Sequence, residues 1–449
     1  MDAAGSAARS AAYALLIIVA VSLVGQGVLT APPSFTANDQ SRWATIRALV
    51  DEGTYAIGER VSHRDGSHED RGIVTEVDWR TIDVIMYPDT QRFYSSKPPL
   101  LPTVLAGEYW LLRRVFGWEI TRDRLPVSRT ILLTINWFPF LVYLIVFARL
   151  IERLGTTDWG RLFVLASACF GTFVSGFSGS LNNHTVAAAG ALFAVYHCVR
   201  LQLDRDRQWW RFVLAGLFLG WTACSELPAA ALAAGGMLWL AHVSWRDALR
   251  FSLPALLVPI ATHLYVQYEV FGTVLPTYLQ KSWYLFPGSY WRHPVGIDRA
   301  ADGELLYAFN LLVGHHGILL LSPVLLLGWI GMFRTAILAS REDRPLTPPT
   351  VLSALTLVLT TSVFVFYVFR TNDYGGVSAG PRWFIWLVPL WLLTMIPEAD
   401  RWSTRRSSRA IAYVLLVLSV GSALYALEDP WRHPWLFNEL ERLKWISYP

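Results

Sequence analysis

Apolar runs of membrane length recur from one end of this chain to the other, and no other feature restricts its fold as much. They occupy residues 11–30, 130–147, 162–181, 185–199, 212–224, 229–243, 251–268, 305–333, 351–369, 383–396 and 410–427. That is roughly eleven segments, to be set against the ~20 apolar residues a helix needs to cross a bilayer. Lipid offers no hydrogen-bond partner, so spanning backbone must be helical or a closed barrel, and runs of this length predict helices. Charged residues are 16% of the 449 and hydrophobic residues 53%, whereas a soluble domain carries about 25% charged residues. The expectation is an all-α polytopic membrane protein, with no nucleic-acid partner. Cys169, Cys198 and Cys224 fall inside or at the end of apolar runs, which leaves neither a disulfide framework nor a zinc-ligand spacing.

The first run follows Arg9. It exceeds the ~7–15 apolar residues of a signal peptide and reads as an uncleaved span rather than a cleaved leader. Residues 100–112 are apolar but broken by Pro102 and Glu108 and closed by Arg113-Arg114. At about 1.5 Å per residue they are too short to cross a core of about 30 Å, so they are placed along the membrane surface. Arginines mark the cytoplasmic connections: Arg149, Arg153 and Arg161; Arg200, Arg205, Arg207 and Arg211; Arg334, Arg341 and Arg344. The short connections 182–184 and 225–228 contain no Lys or Arg, and this bias sets orientation. It puts the amino terminus in the cytoplasm. The loops 31–99 and 271–304 then face outward from a single membrane domain, 1–427. The tail 428–449, with Trp431, Trp435 and Trp445, fits an outward-facing interfacial segment.

Chemistry is therefore sought at the outer mouth. Asp39 follows the first span, with Gln40, Arg42, Trp43, Ile46 and Leu49-Val50 behind it, a spacing that suits an amphipathic helix on the membrane. As a helix N-cap it would serve structure; as a carboxylate at a bundle mouth it could take a proton from an incoming hydroxyl. Lys97 precedes Pro98-Pro99, which hold the chain extended. It could snorkel to the headgroups or hold a lipid phosphate. Arg382, beside Gly375-Gly376 and Gly380-Pro381, is a second phosphate candidate. Asn183-His184 and Glu226 sit at the outer ends of spans, where ionisable groups face a cavity or a partner. The neighbours His315-His316 diverge on a helix and make a poor metal site. Trp283, Tyr284, Tyr290 and Trp291 could stack on sugar rings or anchor at the interface.

The order of a span, Asp39 with Arg42-Trp43, a loop, then Tyr94-Ser95-Ser96-Lys97-Pro98-Pro99-Leu100-Leu101 resembles the membrane glycosyltransferases of the GT-C class. The branch it is most similar to contains the protein O-mannosyltransferases and the aminoarabinose transferase of lipid A. Glu269-Val270-Phe271-Gly272-Thr273, Gly317–Pro323 and Gly375-Gly376 through Trp383 resemble later segments of the same proteins. The resemblance implies transfer of a sugar from a polyprenyl-phosphate carrier to an acceptor hydroxyl on a glycan, lipid or protein. Transfer would invert the anomeric carbon and take place on the outer face of the cytoplasmic membrane. It maps the general base onto Asp39 and the phosphate-binding lysine onto Lys97. Two positions depart from the family: Gln40 stands where a glutamate often follows the aspartate, and Asn183-His184 replaces a second acid. Both argue against a divalent metal, since hard cations prefer carboxylates; His184 could orient the acceptor or support Asp39. Two other readings, a transporter for a lipid-linked sugar and a non-catalytic subunit of the same fold, are also open. The absence of half-to-half symmetry and the single level of the polar residues weigh against transport.

Overall fold

The computed structural model describes residues 3–30, 36–204, 207–341, 346–371 and 373–449; Arg205, Arg344 and the first residues of the 31–99 loop lie outside them. Helix α1 (Ala3–Thr30) is followed by α2 (Ala37–Asp51), and then by four strands, β1 (Gly58–Ser62), β2 (His68–Arg71), β3 (Val84–Tyr87) and β4 (Arg92–Ser95). Next come α3 (Leu100–Phe116), α4 (Arg124–Leu132), α5 (Phe138–Leu154), α6 (Asp158–Phe170), α7 (Phe173–Phe177), α8 (Asn183–Leu203) and α9 (Trp209–Ser225). The chain continues through α10 (Ala230–Asp247), α11 (Leu253–Phe271), α12 (Lys281–Tyr284), α13 (Glu304–Leu312), α14 (Ile318–Leu321) and α15 (Leu325–Arg341). It ends with α16 (Pro348–Arg370), α17 (Val388–Trp402), α18 (Arg406–Glu428) and α19 (Trp435–Arg442).

The protein is polytopic and its membrane part is helical throughout. Among the described residues seven segments are long and apolar enough to span: Gly5–Thr30, Arg124–Leu154, Asp158–Phe177, Asn183–Leu203, Leu227–Phe271, Pro348–Arg370 and Arg406–Glu428. The other expected runs are helical but shorter, as α9 and α17 are. Leu227–Phe271 holds two of the expected runs, joined where Ser244 leaves helical geometry. The 305–333 run is the clearest departure: it breaks into α13, a turn carrying His315-His316, α14 and α15. The polar turn pulls the chain out of helix there, because His315 and His316 bond to one another (Nδ1 to Nδ1, 2.5 Å) and His315 Nε2 meets the Tyr448 hydroxyl at 2.9 Å.

Helix α8 runs through the middle of the bundle and is buried along almost its whole length. Its N-cap is Asn182, whose side chain accepts from the Thr185 amide at 2.9 Å. A π-turn at Leu133–Trp137 between α4 and α5 swings Asn136 inward to receive the Thr185 hydroxyl at 3.0 Å, which fixes that end of α8. Glycines let the helices touch backbone to backbone. A Cβ on Gly216 of α9 would stand 2.1 Å from the Ser252 carbonyl oxygen at the start of α11, and one on Gly331 of α15 would stand 2.1 Å from the Thr394 carbonyl oxygen of α17. At the far end of the bundle Arg9 pairs with Glu152 and Asp158, each at 2.7 Å, tying α1 to α5 and α6.

The 31–99 loop carries a sheet. Its strands form an antiparallel sheet in the order β2-β1-β4-β3, with Val84 opposite Ser95 and Glu59 opposite Arg71. Helix α2 does not lie on the membrane as an amphipathic helix. Asp39 through Ile46 are all buried, packed between the sheet and α3 in a second core built on Trp43, Trp79, Phe93 and Tyr109. Helix α3, expected over 100–112, extends to Phe116 and stops at Gly117, which has a positive φ. The aromatics of 271–304 are largely structural. Trp283 is buried and meets Tyr87 edge-on at 5.0 Å, and the Trp291 indole donates to the Ile82 carbonyl at 2.8 Å, so this segment is bolted to the sheet. At the carboxyl end α19 packs Phe437 into the bundle core, and the Tyr448 hydroxyl donates to Asp302 at 2.8 Å.

The glycine contacts give a test. Gly216→Ala forces α9 away from α11, and overpacking of this kind costs about 1–3 kcal/mol. A lowered thermal-unfolding midpoint in detergent is expected for it, with no such loss for Gly107→Ala, where an added Cβ meets nothing within 4 Å.

Candidate active site

The site forms where the first turn of α2 meets the N-terminus of α8 and the turn between α9 and α10. Thr36 is the N-cap residue of α2, which places Asp39 in the first turn as the third helical residue rather than at the cap. The Thr36 hydroxyl donates to Asp39 Oδ1 at 3.0 Å. Burial disfavours the carboxylate and raises its pKa to about 7, with the Thr36 hydrogen bond and the Arg42 charge pulling the other way. The cap-region position and a proton-transfer role are therefore compatible, since Asp39 can exchange a proton near neutral pH.

Arg42, one turn further along, is buried, and its own pKa is lowered to about 10 by that burial. One arm of its guanidinium donates to the Asn38 carbonyl at 2.8 Å and to Asn38 Oδ1 at 3.1 Å; the other reaches Asn183 Oδ1. The Asn183 amide passes the connection on, donating to Glu226 Oε1 at 2.6 Å and to the Ser225 carbonyl at 2.8 Å. His184 closes the set, with Nδ1 against Glu226 Oε1 and Nε2 without a hydrogen-bond partner among the described residues. A small cavity of about 10 Å³, room for one water, opens beside Arg42 and Asn183 under Pro98, Leu100, Leu101 and Trp221. Arg42 and Asn183, 141 positions apart in the chain, are thus brought together, and Asn183 links the pair to Glu226.

Lys97 is on the same side, but it is not free. Its Nζ lies 2.8 Å from Asp83 Oδ2, and both side chains are largely buried. Burial lowers the lysine's pKa and the Asp83 charge raises it. The segment is braced from several directions: the Lys97 amide donates to Ser95 Oγ at 3.2 Å, Ser95 Oγ donates to Ser41 Oγ of α2 at 3.0 Å, and Thr277 donates to the Ser96 carbonyl at 3.1 Å. Arg382 completes the cationic set. Gly375, at φ +89°, leaves the space its side chain fills, and the guanidinium lies over the Trp431 ring at 5.4 Å. Among the described residues it has no carboxylate within ion-pair distance, and its charge acts on both Lys97 and Arg42. Gln40 points elsewhere, donating to the Asp78 carbonyl at 2.5 Å, and serves to hold the loop.

Two acids were missed from sequence. Asp83 was detectable: Val-Ile-Met-Tyr, the turn Pro88-Asp89-Thr90-Gln91 and Arg-Phe-Tyr-Ser read as a hairpin, and the observed register of Val84 against Ser95 puts Asp83 beside Ser96-Lys97. Asp298 carried no signal. It hydrogen-bonds Tyr290 at 2.9 Å, and burial followed by the nearby Asp373 raises its pKa to about 6.

Among the described residues no group of three or more His, Cys, Asp or Glu could hold a metal ion. The charges of Asp39 and Glu226 both act on the Arg42 guanidinium, and Asn183 and His184 engage Glu226.

This fold, a helical membrane bundle with a structured first loop seated on its mouth, is similar to that of an archaeal oligosaccharyltransferase. The oligosaccharyltransferase of Archaeoglobus fulgidus in its apo form is similar at a TM-score of 0.50 and 10% identity over 96% of this chain and 57% of that one. The same protein in complex with Zn and sulfate is similar at 0.50 and 11%, over 93% and 53%. ArnT from Cupriavidus metallidurans bound to undecaprenyl phosphate gives 0.49 and 13%, over 95% and 75%. The likeness is one of fold, and this chain spans little more than half the length of the oligosaccharyltransferase. No protein-family model matches the sequence, and no curated protein matches it.

The Arg42 bonds give the second test. Arg42→Met leaves Asn183 Oδ1 buried without its donor and Glu226 without a nearby cation, and breaking a buried charged set costs about 3–5 kcal/mol. Arg42→Lys should recover only part of it, because an ammonium lacks the fork that reaches Asn38 and Asn183 together. Thermal unfolding of the two variants in detergent measures both effects.

Proposed function

We propose that this protein is a glycosyltransferase that moves a sugar from a polyprenyl-phosphate carrier to an acceptor hydroxyl at the outer face of the cytoplasmic membrane. One observation carries the reading. A buried carboxylate with a pKa near 7, Asp39, sits in one electrostatic neighbourhood with Arg42, Lys97 and Arg382 at the mouth of a membrane bundle. The GT-C-like fold and the sequence resemblance support it.

In this mechanism the carrier's isoprenoid chain lies among the helices and its phosphate meets Lys97 and Arg382. Asp39 takes the acceptor proton as the acceptor oxygen bonds to the anomeric carbon from the face opposite the phosphate. The carbon–oxygen bond to phosphate breaks, the configuration inverts, and the bonding pair leaves on polyprenyl phosphate. Phosphate is a good leaving group, so the cations need only stabilise its growing charge. Glu226 orients His184, whose free Nε2 is placed to bond the acceptor. The acceptor is a glycan, lipid or protein presented at the membrane surface, and the amino terminus is cytoplasmic. No divalent metal takes part.

Asp39→Asn tests the base: transfer from a labelled polyprenyl-phosphate sugar should fall about 10²–10⁴-fold, and retention of full activity would remove Asp39 from the mechanism. Since the base works ionised, the wild-type rate should be half-maximal near pH 7 and fall with each step below it. A pH–rate profile flat from pH 5 to 9 contradicts the assignment. Dialysis against EDTA is expected to leave the rate unchanged; loss of transfer restored by zinc or manganese would overturn the metal-free reading.

A further inference from the structure

Lys97, the residue best placed to hold the carrier's phosphate, already has an anionic partner. Its Nζ is 2.8 Å from Asp83 Oδ2, with the two side chains 17% and 11% exposed. Asp83 is held by its own backbone: its amide donates to the Thr81 hydroxyl at 3.1 Å and its carbonyl accepts the Ser96 amide at 3.1 Å. The Thr81 hydroxyl in turn donates to the Ala37 carbonyl at the start of α2 at 2.7 Å, so the acid is built into the junction of loop and helix. An ammonium has three donors and can touch a phosphate without releasing Asp83. Any phosphate it touches then lies within a few ångströms of a second negative charge.

That repulsion is unequal for substrate and product. The glycosylated carrier is a phosphodiester with one negative charge. Once the sugar has left, the carrier is a phosphomonoester with a second pKa near 6, bearing about −1.5 to −2 at neutral pH. A fixed carboxylate repels the second nearly twice as strongly as the first. We propose that Asp83 is a specificity residue of the donor site, a resident counter-anion that weakens Lys97's grip on the spent monoester more than on the diester donor, and so favours exchange of product for substrate. This rests on the donor-site reading above.

The test is binding of farnesyl phosphate and of its methyl diester to the full-length protein in detergent at pH 8, by calorimetry. Wild type should bind the diester at least as tightly as the monoester. Asp83→Asn, close to isosteric, should tighten the monoester about tenfold and the diester clearly less, and should deepen inhibition by added monoester in a transfer assay. Equal tightening of the two ligands, or weakening of both, overturns the proposal and makes Asp83 a residue that merely aims Lys97. A wild type that prefers the monoester tenfold overturns it without recourse to any variant. Failure of wild type to bind either ligand overturns the donor-site reading itself, and this inference with it.

Discussion

The Arg42 guanidinium is the joint on which this architecture depends. A cation taken out of water is tolerated only when nearly every donor finds an acceptor, and Arg42 finds them in Asn38 on its own helix and in Asn183 at the head of α8. Asn183 commits in turn to Glu226 and the Ser225 carbonyl at the α9–α10 turn. Meeting the requirements of one buried charge therefore fixes three chain segments relative to one another, and in doing so it seats the first loop on the bundle. Asp39, one turn from Arg42 on the same helix, acquires its burial and its raised pKa from that seating.

The same joint explains how the mouth of the bundle is assembled around Asn183 and His184. Where Asn183 and His184 replace a carboxylate, a guanidinium takes the central position, and its charge is balanced by Asp39, Asp83 and Glu226 at a distance. Guanidinium and carboxylates then balance one another's charge. The geometry at Asp39 is set by covalently attached groups on packed helices, which is the condition for preorganised chemistry.

How much of this was legible in the sequence differs by region, for physical reasons. Most of the apolar runs were legible as helices because lipid leaves spanning backbone only the helix or the closed barrel, and runs of that length suit helices. The break at His315-His316 was not, because it depends on Tyr448, 133 residues downstream. Helix α2 was legible as a helix but not as a buried one: Asp39, Gln40, Ser41, Arg42 and Thr45 read as solvent-facing, and only the sheet and α3 closing over them make them interior. Asp39 and Lys97 could be picked out by their neighbours in the chain. The partner that qualifies Lys97 could be picked out only by pairing β3 with β4, a step that a reading of the loop as irregular omits.

Counting charge around the mouth brings these strands together. Arg42, Lys97 and Arg382 face Asp39, Asp83 and Glu226, and Asp298 also acts on Arg382, so the cations are matched by at least as many acids; of the three only Arg382 has neither an ion-pair nor a hydrogen-bond partner among the described residues. A site with three unopposed cations would bind a phosphate tightly in every state, and uniform binding does nothing for turnover. In the proposed mechanism a site whose cations are so matched binds the diester weakly, through Arg382 and the spare donors of Lys97. On that proposal it gains most when charge grows on the leaving phosphate and Asp39 has become neutral by taking a proton. At that moment one negative charge has been removed on the acceptor side while one appears on the donor side. The balance of the buried charges is then kept through the reaction, which a low-dielectric site requires far more strictly than an aqueous one.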